Sequence, residues 1–533
     1  MKLTASEVSN RYSNAYSIKS SWDTEYRDIF EYTMPARDGY QKAVAGESID
    51  PNYQDRRENL FSSIGEQAAN DFVNTMQEVL APPMSKWIAL EAGMRFEEEQ
   101  RGKVNDELAK MTDHANEYKN NSAFDMAFSE FCYDLFAGTA CLLVLPGTPR
   151  NPLLFKAIPT REYCIEEGVN AEVRGVFRKY ELKRELLSAQ WPELKGMEVA
   201  EDQKEDKVTI IESTWFDYDL NVYHYQVVDE KEKNELIHRE YKTNPFIVLR
   251  WNKCAGEAYG RGPGMTAIND IKTLNLFKYY SMRVLAFAIP PLLAREDDMI
   301  DVDSFELAPL AINVVPDPHD SVVPMNFNTN VNLEQYKSAE LEMQIKKDTY
   351  SSTLPNEGNR DLTATEVRQR IMEMRKSLNS VFGRLLAEFQ IPLVRRIIDV
   401  LTDTNVMGEE FREKFDLDDI DGLKYKVNIV TPIGKLLKHE QAQAMLAAAA
   451  TLMQFDPTGR LYDKWVKEEK MIPTFLKDTG LPADMVNTAE EAEKKAQGQA
   501  QSDQAQAQQA AQMDVEAANQ KEMGKVVAQG MEV

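Results

Sequence analysis

Residues 250–282 read RWNKCAGEAYGRGPGMTAINDIKTLNLFKYYSM, and the change of pattern inside them divides the chain. Up to Trp251 they continue a strand-like run, NPFIVLRW. Four glycines, at 256, 260, 262 and 264, then crowd a turn. Residues 265–288 contain no proline, and apolar side chains recur at Ile268, Ile271, Leu274 and Phe277, the spacing of one helix face. A helix of about 24 residues is expected there, about 36 Å long at about 1.5 Å per residue. No glycine follows until Gly358, although the chain holds 24, so the intervening segment is built to be stiff.

Downstream, a second helix is expected over residues 331–352. Between the two helices stand prolines at 290, 291, 309, 316, 318 and 324 and the short strand-like runs AINVVP and SVVPMNF. We read two long helices carrying a small proline-stiffened β module at their tip. Residues 354–362, LPNEGNRDL, are polar and turn-rich. Thr363 and Glu366 then have the spacing of a capping box, which opens another long helix. Its apolar stripe runs through Val367, Ile371, Met374, Leu378, Val381, Leu385, Phe389, Leu393, Ile397 and Leu401. Pro392 lies inside that stripe and is expected to bend the helix. A strand candidate, KYKVNIVTP, and a helical run, KHEQAQAMLAAAATLMQF, follow. Residues 476–533 lack aromatic side chains and are rich in Ala, Gln, Glu and Lys, which suits a helix packed on copies of itself or a disordered tail.

Upstream, residues 1–120 read as helical, with FSSIGEQAANDFVNTMQEVL ending at Pro82 and Pro83. FDMAFSEFCYDLF reads as a helix running into the strand CLLVLP. Over residues 153–250 the pattern becomes short strands rich in β-branched and aromatic residues, such as KVTIIESTWFD and NVYHYQVV. The first 263 residues are thus a mixed helix and strand body, and the whole chain is of the α+β class.

A chain of 533 residues exceeds one ordinary core, since cores stop growing at about 250–300 residues, so several parts are expected. With 62 basic and 87 acidic residues the formal charge is -25, which excludes a general electrostatic pull on nucleic acid. Cys132, Cys141, Cys164 and Cys254 form neither a CxxC pair nor a dense disulfide framework, as expected of a protein made in a reducing cytoplasm. The amino-terminal segment lacks an apolar signal region, and the longest apolar run, residues 284–294, contains Pro290 and Pro291. Neither a signal peptide nor a membrane span is expected.

No phosphate-cradling GxxxxGK[ST] or GxGxxG is present, and neither GxSxG nor HExxH occurs. No ATPase, other enzyme activity or cofactor is therefore expected. Asp297, Asp298, Asp301 and Asp303 read as a solvated loop. Asp416, Asp418, Asp419 and Asp421 fail the calcium-loop pattern at Ile420 and at Val427, where the bidentate glutamate belongs. The five histidines, at 114, 224, 238, 319 and 439, are scattered without a partner pattern and read as surface or packing residues, not metal ligands.

Residues 250–282 resemble the portal, or head-to-tail connector, family of short-tailed double-stranded DNA bacteriophages. In that family a strand leads to a Gly-Glu-x-Tyr-Gly-Arg turn and then to a helix with the pattern seen here at Asp270, Ile271 and Leu274. TATEVRQRIMEMRKSLNSVFGRLLAEFQIPLVRRIIDVL and FSSIGEQAANDFVNTMQEVLAPPMSKWIAL resemble the family too, and the likeness runs in order over roughly residues 10 to 470. The Gln/Ala-rich tail lies outside it.

The resemblance implies a cyclic ring of about twelve subunits at one capsid vertex. It implies a wing at 1–263, a first stem helix at 264–289, a clip at 290–330, a second stem helix at 331–352 and a tunnel loop at 353–363. A long kinked wing helix plus strand would occupy 364–435, a helical crown 436–487, and an Ala/Gln-rich helix or tail 488–533. Implied partners are double-stranded DNA in the channel, a terminase ATPase, tail adaptor proteins, and major capsid and scaffold proteins; no membrane is involved. At -25 per chain the channel would be surrounded by about 300 negative charges, which repel a duplex carrying one charge per about 1.7 Å of axis. The candidate gate is Asn356, Glu357, Gly358, Asn359, Arg360 and Asp361, and the candidate basic groups facing DNA are Lys346, Lys347 and Arg360. The rival reading is another virion structural protein, such as a scaffold or internal core protein, which would share the acidic helical composition but has no need of the helix, β module, helix insertion.

Overall fold

The computed structural model describes residues 2–35, 44–45, 59–93, 95–196, 206–287, 292–294, 322–324, 331–351, 381–404 and 425–429, with scattered positions between 442 and 475. Two compact units emerge: Met1–Glu97 with Val104–Thr431, and Glu98–Lys103 with Pro432–Val533.

In the first unit, helix α1 (Ala5–Thr33) begins at a capping box. Thr4 Oγ1 accepts from the Glu7 amide, and the Thr4 amide donates to Glu7 Oε2 at 2.7 Å. The helix buries Val8, Ala15, Lys19, Tyr26, Ile29 and Phe30, one stripe at helical spacing. Lys19 is fully buried, and its ammonium donates to the Thr160 carbonyl, so the stem of the side chain packs while its head stays hydrogen-bonded.

Helix α2 (Ile64–Leu80) stops before Pro82, which cannot continue the ladder. Strand β2 (Ile88–Ala92) follows, then helices α3 (Glu98–Asn120) and α4 (Phe124–Ala137). Here the structure differs from the expectation of an all-helical first 120 residues. Strand β1 (Val44–Ala45) pairs parallel with β6 (Val173–Lys183), and β2 pairs antiparallel with β13 (Tyr425–Ile429), Ile88 opposite Ile429. The partner of β2 lies more than three hundred residues away in sequence, and no local pattern announces a pairing that distant.

Two sheets form the strand-rich part. Strands β3 (Thr139–Pro146), β4 (Leu153–Ile158) and β10 (Phe246–Arg250) make an antiparallel sheet with β3 in the middle. Only Pro146 of β3 escapes full burial, because β3 is the middle strand and is covered on both faces, whereas the edge strand β4 leaves Leu154 and Lys156 exposed. Strands β5 (Tyr163–Glu167), β6 (Val173–Lys183), β7 (Lys207–Asp217), β8 (Val222–Asp229) and β9 (Asn234–Tyr241) form the larger sheet with β1, in the order β1-β6-β7-β8-β9 and with β5 also on β6. Helix α1 lies on this sheet through Val8 and Ala15 against Phe177, Ile211, Trp215 and Val228. All four cysteines are free thiols, three buried and Cys254 exposed.

Two more long helices follow: α5 (Pro263–Phe287) and α6 (Val331–Asp348). Helix α6 stops at Asp348, short of the expected Ser352, because Tyr350 takes a left-handed backbone with φ 60° and turns the chain out of the helix. Between α5 and α6, β11 (Leu292–Ala294) and β12 (Val322–Pro324) pair antiparallel. Around Pro392 the helix is not broken. A wide π-helical turn, Leu385–Gln390, leads into helix α7 (Ile391–Asp403) with the proline in its first turn, where the missing amide is tolerated. Phe389 on the wide turn stacks on Phe128 and Phe131 of α4.

In the second unit, residues 444–451 are helical, and Thr451 Oγ1 donates to the Ala447 carbonyl at 2.7 Å. Among the described residues no helix is long and apolar enough to cross a membrane. The two aspartate clusters, the gate candidates 356–361, the stripe from Val367 to Leu378 and the tail lie outside the described residues.

Candidate functional site

The glycine-rich turn of residues 250–282 is a packing joint. Gly138 ends α4 with φ 146°, and a Cβ there would sit 2.2 Å from the Gly260 carbonyl oxygen. A Cβ on Gly262 would sit 2.2 Å from the Phe136 carbonyl oxygen and 2.6 Å from the Gly138 amide nitrogen. Three backbones therefore meet where only hydrogen fits. The joint is sealed by Trp251, whose amide donates to the Gly138 carbonyl at 2.8 Å, and by the Gly260 amide, which donates to Thr139 Oγ1 at 2.8 Å.

The residues of the turn fix it to the body. Tyr259 is fully buried, and its hydroxyl accepts from the Ile165 amide at 3.0 Å; burial pushes the phenol well above its ordinary pKa. Arg261 pairs with Glu257 at 2.6 Å and lies over the Trp22 ring at 5.4 Å. Helix α5 thus leaves a rigid base at a set angle.

Along α5, one face joins the core. Ala267, Ile271 and Leu274 pack with Ile64 and Ala68 of α2 and with Ile345 of α6. The buried Asn275 accepts from the Phe61 and Ser62 amides through Oδ1 and donates to the Asn59 carbonyl through Nδ2. Lys272 pairs with Asp28 of α1 at 2.5 Å. Farther along, Lys278 pairs with Glu342 at 3.5 Å. Since Ile271 and Leu274 meet Ile345 while Lys278 meets Glu342, the two helices run antiparallel. The opposite faces carry apolar side chains into solvent: Leu276 is 52%, Tyr280 55% and Met343 66% exposed, while Met282, 57% exposed, lies one turn beyond Lys278 on the same face of α5.

The predicted basic candidates Lys346 and Lys347 form the last turn of α6, where cations complement the helix dipole. Lys346 acts on Asp71 of α2, whose carboxyl is raised by burial and lowered by that ammonium. Lys347 is exposed. Arg360 and the other gate candidates lie outside the described residues.

Two features were not foreseen from the sequence. Beside β10 and the π-helical turn lies a cleft of about 780 Å³ lined by Arg250, Lys253, Glu388, Arg384, Tyr223 and Pro392. Its charges are already paired: Arg250 donates to Glu388 Oε1 at 2.7 Å and to the Ala171 carbonyl at 2.9 Å, and Lys253 pairs with Glu167. This is internal bracing between β10 and the helical path through Pro392. The other feature corrects the reading of the histidines as scattered. His224 on β8 and His238 on β9 meet with Nδ1 and Nε2 3.2 Å apart, and burial lowers both imidazole pKa values. Their spacing in sequence carries no such signal, because a cross-strand diagonal depends on the register of the pair.

A family model described as bacteriophage head to tail connecting protein matches residues 5–486. No curated protein matches. Among solved structures, a chain of the neck of native GTA particle computed with C12 symmetry is similar at 10% identity and a TM-score of 0.35, over 80% of this chain and 93% of that one. A chain of the virion of native gene transfer agent (GTA) particle is similar at 11% identity and a TM-score of 0.33, over 74% of this chain and 88% of that one.

Proposed function

The chain belongs to the family of bacteriophage head-to-tail connecting proteins, and from that premise we propose that copies of it close into the portal ring through which double-stranded DNA is packaged and ejected. The observation that carries the reading is the helix pair. Helices α5 and α6 rise from a glycine-locked base while Leu276, Tyr280, Met282 and Met343 stay exposed on the two helices. Large apolar side chains held rigidly in water are covered in a working assembly. In a closed ring, one patch of each copy meets a different patch of the next.

In this reading α5 and α6 line the channel, and the segment between them forms the outer tip that docks a terminase ATPase and later tail adaptors of a short tail. Capsid and scaffold surround the body, and the ring sits at one vertex of a virion assembled in the host cytoplasm. The net charge of -25 per chain keeps the duplex from adhering to the wall. We assign the gate to Asn356, Glu357, Gly358, Asn359, Arg360 and Asp361, and the basic groups facing DNA to Lys346, Lys347 and Arg360. The chemistry is mechanical and electrostatic, with no cofactor and no catalytic step.

Electron microscopy of the purified protein tests the assignment. Views along the symmetry axis are expected to show a closed ring with a central hole. A protein that stays monomeric across salt, pH and added scaffold overturns it.

A further inference from the structure

We propose that His224, His238 and Glu240 form a site for one divalent transition-metal ion of the zinc class, clipping the outermost strand of the six-stranded sheet to its neighbour. The ligand atoms of the three residues all lie within 4.8 Å of one another. His224 Nδ1 is 3.2 Å from His238 Nε2 and 3.6 Å from Glu240 Oε1. Ligands bonded to zinc at about 2.0–2.1 Å in a tetrahedron stand about 3.3–3.4 Å apart, so these separations are tetrahedral edges before any ion is added.

The sheet register explains how the three converge. Glu240 lies opposite His224, and His238 lies opposite Gln226, the next residue but one on β8, so all three project from the same face. The surroundings also suit a ligand set. Asp217 Oδ2 is 3.4 Å from His224 Nε2, on the far side of the ring from the cluster. With the Nε2 proton turned toward that carboxylate, the Nδ1 lone pair points at His238 and Glu240, the carboxylate–histidine–metal arrangement. The Trp215 ring lies 5.4 Å behind His224 and shields it. His224 is buried, His238 half-buried and Glu240 exposed, which leaves a path from solvent. Three protein ligands leave the fourth position for water or for a group from a neighbouring copy.

The site has a structural use. Strand β9 is the edge of its sheet, and its pairing with β8 shifts register between Val227 and Val228. An ion bridging the strands beyond that bulge would pin the edge.

The test uses the full chain, stripped with a chelator and titrated with zinc chloride by calorimetry, with cobalt chloride as a spectroscopic probe. One ion per chain is expected, with cobalt absorption of the intensity typical of tetrahedral coordination, and a melting temperature that rises on adding zinc. His238→Gln and Glu240→Gln change side chains that are not fully buried, so both are expected to fold and to weaken binding at least tenfold. Asp217→Asn is expected to weaken it by about 10–100-fold. If zinc produces no saturable heat, or if His238→Gln binds as the parent does, the pair is only an imidazole–imidazole hydrogen bond and the site does not exist.

Discussion

Tyr350, which ends the second long helix, lies edge-on against Trp251, which precedes the first, with ring centroids 5.6 Å apart and planes at 64°. Tyr350 holds this position with φ 60°, a backbone region that costs a side chain about 1–2 kcal/mol. The aromatic contact contributes about 0.5–1.5 kcal/mol beyond burial, so strain and contact nearly offset each other. Tyr350→Gly removes both and is expected to leave the urea midpoint close to that of the parent. Tyr350→Ala keeps the strain and loses the ring, and is expected to cost about 1–3 kcal/mol. Equal midpoints for the two variants would show that the turn bears no strain.

The glycine joint gives a sharper contrast. A methyl group on Gly262 meets the backbone of Phe136 and Gly138 at distances no real Cβ adopts, whereas one on Gly256 has nothing within 4 Å. Gly262→Ala is expected to destabilise by about 1–3 kcal/mol or more, since backbone must move. Gly256→Ala pays only for its φ of 87°, about 1–2 kcal/mol. Denaturation curves of the two variants check the ordering. A reversed order would mean that the joint is not the rigid base of α5.

How much of this was legible in the sequence depends on the range of the interaction. The α5 helix and the strands β7, β8 and β10 follow from local periodicity, and the mixed helix and strand class follows with them. The family resemblance lay in the same turn, although nothing in its spelling says that Gly262 touches Phe136. The strand at Ile88–Ala92 was hidden because its partner, Tyr425–Ile429, is remote. The His224–His238 pair was hidden because it depends on cross-strand register. The end of α6 at Asp348 was missed because an exposed-looking Tyr350 gives no hint that Trp251 holds it.

Inside helix α7, Arg396 and Asp399 are both fully buried and paired at 3.1 Å, with Arg396 Nε also donating to the Val144 carbonyl. Burial lowers the guanidinium pKa, and Asp399 opposes that. Removing one partner strands a charge, so Asp399→Ala is expected to cost about 3–5 kcal/mol. The double variant Arg396→Met with Asp399→Leu is expected to be less damaged than the single one, because no buried charge remains. Chemical denaturation of the three proteins decides it; a double variant at least as unstable as Asp399→Ala would assign the loss to packing.

Lys119 provides a pH test. Its ammonium donates to the Ser85 carbonyl at 3.0 Å beside the Trp87 ring, and burial pushes its pKa from 10.5 to about 8. Below pH 8 both folded and unfolded chains are protonated, and the folded state bears the desolvation penalty in full. Between about pH 8 and 10.5 the folded amine loses its proton while the unfolded one keeps it, so folding releases a proton and stability rises with pH. Lys119→Met lacks this contribution. The melting temperature of the parent is therefore expected to gain on that of the variant as pH rises from 8 to 10.5. Parallel curves would mean that the amine is solvated.

The last prediction concerns Leu276 and Tyr280, one turn apart on α5 and 52% and 55% exposed. Neither contributes to the core formed by Ala267, Ile271 and Leu274 on the other face, so replacing them leaves the subunit fold intact. If neighbouring copies cover them, each contact buries apolar surface worth about 1.5–3 kcal/mol per side chain, and a new carboxylate there must be desolvated as well. The repetition of the contact around a closed ring multiplies the loss. Leu276→Asp with Tyr280→Asp is therefore expected to give folded monomers, with unchanged circular dichroism and a thermal transition near that of the isolated parent subunit. Mass measurement under conditions where the parent forms rings reads the outcome. Rings of unchanged mass would show that this face of α5 is not a subunit contact, and would move the assembly interface to the face of α6 that carries Met343.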